Sequence, residues 1–285
     1  MNTPPSSAYI NLNLSLLFIA TSGVLGKWIP LQPELSIFWR SFLAIPFLVL
    51  FLWGTKQSIR ISFQWNIKRV CAGVLMGLHW VTYFYSLQWS NVAVGMLSLF
   101  TFPVLTACLE PLFFPITFRL THVLLGGLTL VGIYFLIPSP ELVLIHGKAV
   151  ALGVFSALCY ALRNLLLKQS MHQANGSQLM LSQVVIIALC FVPFVSIENV
   201  KLSLSVGWAL LFLALFTTVI GHSLFLYSLK HFSVTTASIV ACIQPLYGIV
   251  LAYLFLDEVP HWGIWVGGTL IVLAVFVEAR SLRTS

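Results

Sequence analysis

The side chains best suited to chemistry in this 285-residue chain are His79, Trp80 beside it, and His222, which stands 142 positions after Trp80. An imidazole exchanges a proton near neutral pH, and an indole face covers an apolar or cationic solute. Tyr83, four residues past His79, and Tyr160 can offer hydroxyls to the same solute. The plainer reading is that each histidine only hydrogen-bonds across a helix bundle. Gln244 stands beside Pro245, and 142 positions earlier Phe102 stands beside Pro103. A proline removes a backbone donor and frees an upstream carbonyl. Pro103 and Pro245 are therefore expected to act as mid-helix kinks or weak hinges that expose backbone polar groups to a cavity. Gln244 is then a solute ligand, and Phe102 makes the matching half-site chemically unequal.

The charged candidates are Glu110, Arg163 and Arg40. At about 1.5 Å of rise per residue, Glu110 and Arg163 reach similar depths in their helices, so a structural or gating ion pair between them is geometrically open. Solute or proton binding and snorkelling to the interface compete with that role. Arg40 is read as a pairing or capping residue ahead of solute recognition. Asp257 and Glu258 are expected to be solvated, with Lys27 or Arg40 within reach. Tyr85 and Tyr227 read as interfacial belt residues. Gly126-Gly127 and Gly267-Gly268 favour close helix approach. No HExxH, G-x-S-x-G or Cys/His metal spacing occurs, so no catalytic or metal-binding residue and no cofactor is assigned.

These residues must be held by membrane-spanning helices. The chain is 59% hydrophobic and 7% charged, with mean hydropathy +1.00, more apolar surface than a soluble fold of this size can bury. With about 20 residues needed per span, ten segments qualify: roughly 10–28, 35–53, 70–89, 91–114, 121–138, 147–168, 178–197, 204–229, 234–256 and 262–277. The first lacks a basic leader, so Ile10 onward is expected to remain as a span. The five cysteines, without a CxxC pair, read as small buried hydrophobes. The net charge of +7 is scattered through short loops and is a topology signal, not a nucleic-acid patch. With the N-terminus in the cytoplasm, ten of the fourteen Lys and Arg fall on the inner side, which places both termini there.

The chain also repeats. Shifting Tyr85-Ser86-Leu87 by 142 positions gives Tyr227-Ser228-Leu229, and the same shift carries Pro103 to Pro245, Leu112-Phe113 to Leu254-Phe255 and Gly126 to Gly268. Residues 1–138 and 147–279 are thus expected to be two five-helix repeats. An odd number of spans inverts the second relative to the first. The expected fold is all-α and polytopic, with ten transmembrane helices as two inverted five-helix repeats.

Those features together resemble the EamA-type drug/metabolite transporters. The likeness rests on the five-plus-five helices, the tight connections after Trp89 and Leu229, the Trp39-Arg40-Ser41-Phe42-Leu43 segment and the two Pro motifs with their following Leu-Phe pairs. Phe255-Leu256-Asp257-Glu258 is similar to that family's Phe-Leu-Gly-Glu, with Asp257 in place of Gly. The resemblance covers about Leu14 to Ala279. It implies a central cavity lined by helices 1, 3, 4, 6, 8 and 9 and transport without ATP; no GxxxxGK[ST] is present.

The resulting expectation is a secondary transporter, not an enzyme. It moves a small organic metabolite by alternating access, with protons or a second solute in exchange as the open couplings. It sits in a plasma membrane, the inner membrane of a bacterium, with the bilayer and a small-molecule substrate as its partners and no nucleic acid. A passive channel on the same scaffold is the alternative, and a membrane-embedded enzyme a more distant one. Few fixed charges favour a neutral, zwitterionic or amphipathic solute over a multiply charged phosphate.

Overall fold

In hydrocarbon each unpaired backbone N–H or C=O costs several kcal/mol, so a chain of this composition crosses a bilayer as helices. The computed structural model describes residues 5–64, 66–136, 146–171, 173–195, 203–256 and 262–284, and the elements among them are all helical. The first half contains α1 (Ser6–Trp28), α2 (Pro33–Gly54), α3 (Ile67–Trp89), α4 (Val92–Leu99), α5 (Phe102–Phe113) and α6 (Leu120–Phe135). The second contains α7 (Gly147–Lys168), α8 (Gly176–Phe191), α9 (Leu204–Phe212), α10 (Ser223–Ser228), α11 (Val234–Ala241), α12 (Gln244–Leu256) and α13 (Gly263–Thr284). A π-helical stretch, Leu213–His222, joins α9 to α10 into one span. Among the described residues nine spans are long and apolar enough to cross a membrane, and α6, at 16 residues, is a shorter tenth. The fold is an all-α polytopic membrane protein, two inverted five-helix repeats.

The helices start where side chains satisfy their first amides. Asn91 accepts from the Val94 N–H ahead of α4, and Ser233, 142 positions on, accepts from the Thr236 N–H ahead of α11. Asn175 and Gln178 form a capping box on α8. Lys27 donates to the carbonyls of Gln88 (3.2 Å) and Ser90 (2.7 Å), closing the turn between α3 and α4. Lys168 closes the corresponding turn of the other half through the carbonyls of Leu229 and Phe232. Lysines thus cap carbonyls of the equivalent turn in both repeats, with Ser90 and Phe232 as matching positions.

The two halves interlock in pseudo-symmetric pairs. α3 packs along α7, and its counterpart, the π stretch with α10, packs along α1. The α3–α7 contact is close because Ala149, Gly153, Ala157 and Ala161 put a buried stripe of small residues on one face of α7. Gly126 faces Val104 and Gly268 faces Leu246, a second pair of contacts related by 142 positions.

Two sequence expectations change. The glycine pairs are not equivalent: a methyl placed on Gly127 would meet no described atom within 4 Å, whereas Gly267 meets Gly132 of the other half. A methyl on Gly132 would lie 2.8 Å from the Gly267 carbonyl oxygen and 2.9 Å from Ile271 Cγ1. Gly132→Ala is therefore expected to destabilise the protein by about 1–3 kcal/mol through overpacking, and Gly127→Ala to leave it unchanged or slightly more stable. Thermal unfolding in detergent reads both. The cysteines also divide: Cys159 and Cys242 are buried, whereas Cys71, Cys108 and Cys190 are on the outer surface.

Candidate functional site

The fourth and ninth spans are both interrupted, and at matching places. α4 ends before Phe100-Thr101 and α11 before Cys242-Ile243, so the gaps stand 142 positions apart. Pro103 and Pro245 follow two residues later, in the first turns of α5 and α12. There the missing N–H belongs to a turn that has no intrahelical partner in any case. The expectation of mid-helix kinks is corrected to this: each span is two half-helices, and the break lies just upstream of its proline.

Between the breaks lies a small cavity of about 30 Å³. Its lining includes Ser22, Gly23, His79, Trp80, Tyr83, Met96, Phe100 and Phe102 from the first half, and Tyr160, His222 and Gln244 from the second. His79, Trp80, Tyr83, His222 and Gln244 are thus brought together at the interface of the repeats. Trp80 and His222, pseudo-equivalent positions, touch with ring centroids 5.4 Å apart. His79 stacks on Tyr160 at 4.5 Å, and Phe102 meets the Tyr160 ring edge-on at 5.2 Å. The unequal pair Phe102 and Gln244 faces one space.

Hydrogen bonding fixes the His79 tautomer. The Ser156 hydroxyl donates to the His79 carbonyl (2.8 Å), and His79 Nδ1 lies 2.8 Å from Ser156 Oγ and 3.2 Å from the Ser156 carbonyl. A carbonyl only accepts, so Nδ1 carries the proton and, in the neutral ring, Nε2 keeps a lone pair. His79 therefore satisfies the plainer reading, a bond across helices, and still leaves one nitrogen for a solute. His222 Nδ1 is buried without a hydrogen-bond partner among the described residues. Tyr160 appeared in the sequence only as one hydroxyl among several, and Ser22, Gly23, Met96 and Ser156 carried no signal there; small residues and a methionine in an apolar run look like packing.

The charged candidates lie elsewhere than expected. Glu110 and Arg163 do not form a pair. The buried Glu110 carboxylate accepts from the backbone N–H groups of Val234 (2.7 Å) and Thr235 (2.9 Å), holding the start of α11 across the half-to-half boundary. Arg163 donates through Nε to Gln183 (2.7 Å) and through Nη1 to Asn164 (2.7 Å), beside the Tyr160 ring. Arg40, fully buried, donates through Nε to Thr218 in the π stretch (2.7 Å) and through Nη1 to Ser22 (3.3 Å). Its guanidinium carbon stands 3.9 Å from the Trp80 ring centre. The Thr218 hydroxyl donates in turn to the Leu213 carbonyl five residues back, so Arg40 joins the first half to the wider helix of the second. Asp257 and Glu258 lie outside the described residues. Tyr85 donates to Glu34 at 2.8 Å, while Tyr227 is exposed in keeping with an interfacial position.

Two larger openings flank the central cavity. One, of about 600 Å³, is lined by residues that include Lys27, Glu34, Tyr85 and Gln88. The other, of about 370 Å³, is lined by residues that include Gln57, Asn175, Ser223 and Tyr227. Tyr85 and Tyr227 are 142 positions apart, so the openings are counterparts at the two ends of the inverted repeats.

Residues 6–137 and again 147–278 match the model of the EamA-like transporter family. A solved structure described only as "Crystal structure of protein" superposes with a TM-score of 0.78 at 17% identity, covering 98% of this chain and 99% of its own, which is a likeness of fold. No curated protein matches the sequence.

Proposed function

The chain belongs to the EamA-like transporter family, and from that membership we propose that it is a secondary transporter that carries a small organic metabolite by alternating access, and not an enzyme. The observation that carries this reading is the narrow cavity of about 30 Å³ between the halves, with a larger opening toward each end. Ligand sites usually measure about 300–1,000 Å³, so solute is admitted only when the halves separate on one side. A continuous channel is disfavoured by the same narrowness at the centre. Residues 1–138 and 147–279 are the moving halves. The breaks upstream of Pro103 and Pro245 stand at the cavity and give each half a place to bend, as discontinuous helices do in other carriers.

His79, Trp80, Tyr83, His222 and Gln244 form the solute site. Proton coupling, where it operates, runs through His79 Nε2 or His222, since Glu110 is engaged as a helix cap. Lys27 and its opening face the outside, Lys168 and its opening the cytoplasm, and both termini are cytoplasmic in a plasma membrane. The test is solute counterflow in proteoliposomes: saturable exchange is expected, and flux that never saturates would instead identify a channel. His222→Ala and Gln244→Ala are each expected to raise the half-saturating concentration about tenfold, the loss of one buried polar contact of about 1.4 kcal/mol. Unchanged kinetics in both variants would remove these residues from the site. Equal rates with and without an imposed pH gradient would leave exchange as the coupling mode.

A further inference from the structure

Two guanidinium groups lie beside this cavity with no acid against them among the described residues. Arg40 and Arg163 are both fully buried. Among the described residues neither has a carboxylate partner: their hydrogen bonds go to Thr218, Ser22, Gln183, Asn164 and the Met180 sulfur, all neutral. Among the described residues Arg40 Nη2 has no hydrogen-bond partner. Each is one side chain removed from the lining, Arg40 behind Trp80 and Ser22, Arg163 beside Tyr160. The described acids are engaged elsewhere, Glu34 by Tyr85, Glu110 by the amides of α11 and Glu278 by Thr236 and His122.

A buried charge without a counter-charge is costly, and intramembrane arginines are kept where something compensates them. The walls supply apolar and aromatic surface and neutral donors. Trp80, Tyr83 and Gln244 line the cavity, and none of their side chains hydrogen-bonds to the protein among the described residues. Low-dielectric walls focus the field of the two cations into the space between them. A cationic solute would be repelled there, and a neutral one would leave the field unused.

Building on the carrier reading, we infer that the transported solute is a monoanion with an aromatic or similarly apolar body, its carboxylate held by the Trp80, Tyr83 and Gln244 donors in the combined field of Arg40 and Arg163. This narrows the solute classes open to the sequence: the anionic kind of amphipathic solute is selected, because burial turns two arginines that look ordinary in the chain into uncompensated charge. A multiply charged phosphate remains disfavoured, since no guanidinium reaches the lining to grip it directly.

The test uses three probes of one shape, phenylacetate, 2-phenylethanol and phenethylammonium, on the purified full-length chain. Thermal-shift titration is expected to show phenylacetate binding at least about tenfold more tightly than the other two, as two charges at this remove in a partly screened site predict. Arg40→Gln and Arg163→Gln should each reduce that preference about tenfold, whereas Arg40→Lys and Arg163→Lys, which keep the charge, should retain most of it. Should the glutamine variants fail to fold, the wild-type ranking together with the lysine variants decides. Equal or tighter binding of the alcohol or the amine, or no binding of phenylacetate, overturns the inference. Counterflow separates the two levels: saturable exchange of the alcohol or amine alone keeps the carrier and discards the anion. Tight phenylacetate binding without any exchange keeps the anion site and discards the carrier.

Discussion

Glu110→Ala is expected to destabilise the protein by about 3 kcal/mol, seen as a fall of several degrees in the unfolding midpoint in detergent. The carboxylate is buried and accepts two backbone N–H groups, those of Val234 at 2.7 Å and Thr235 at 2.9 Å. Hydrogen bonds to a charged group contribute about 1.5–3 kcal/mol each, and alanine leaves both amides unpaired in a buried place. The carboxylate also meets the positive end of α11, a further few tenths of a kcal/mol. Ser233 does not replace it, because that hydroxyl serves the Thr236 amide. Glu110→Gln keeps one acceptor oxygen, so about half the loss is expected. The series distinguishes a cap from an ion pair. If Glu110 served Arg163, removing either would cost the same energy, and the double variant would cost little more than one. As a cap, its effect should add to that of Arg163→Gln within about 0.5 kcal/mol, as for independent sites. An unchanged midpoint for Glu110→Ala would refute the cap.

Gly23→Leu is expected to lower saturable solute flux at least about tenfold while leaving a folded protein, a change of about 1.4 kcal/mol or more in the transport step. Gly23 lines the cavity, and a methyl placed on it would stand 3.1 Å from the Tyr83 hydroxyl, 3.8 Å from Val92 Cγ1 and 3.9 Å from Met96 Cε. The nearest of these is the end of a side chain, so a methyl is accommodated with a small shift. The rest of a leucine exceeds the whole 30 Å³ space and must occupy the volume the solute needs. The folding cost should stay within about 1–3 kcal/mol, the usual range for overpacking. Gly23→Ala is the graded control, with partial loss of flux. Counterflow with the unfolding midpoint of each variant separates a blocked path from a damaged fold. Wild-type flux through Gly23→Leu would place the path elsewhere.

Spans, repeat and cavity neighbours were legible in the chain for different reasons. Hydrocarbon demands that every backbone bond be made within the segment, so ten apolar runs had to be helices whatever their neighbours. The 142-residue repeat made Trp80 and His222, and Phe102 and Gln244, equivalent positions. An interface between inverted copies brings equivalent positions face to face, so the convergence of these four could be read without coordinates.

Partnership of the charges was not legible. Depth along a helix put Glu110 level with Arg163, but rotation about the helix axis decides what a side chain meets, and rotation is set by packing. Small residues spaced four apart on α7 draw α3 onto one face, while Arg163 bonds Gln183 of α8. Glu110, late in α5, reaches the start of α11, a helix that begins 124 residues later. The tertiary partners of the π stretch and of the helix breaks are likewise set by packing: Arg40 engages the Thr218 hydroxyl, and the breaks stand at the central cavity. By itself the sequence determined which segments are helical, how they pair by symmetry and which side chains meet at the centre, because these follow from local hydrogen bonding and a repeated pattern. Tertiary structure alone decided which polar atoms satisfy one another, how small the central space is and which two arginines meet no acid among the described residues, because each depends on helix rotation and long-range packing.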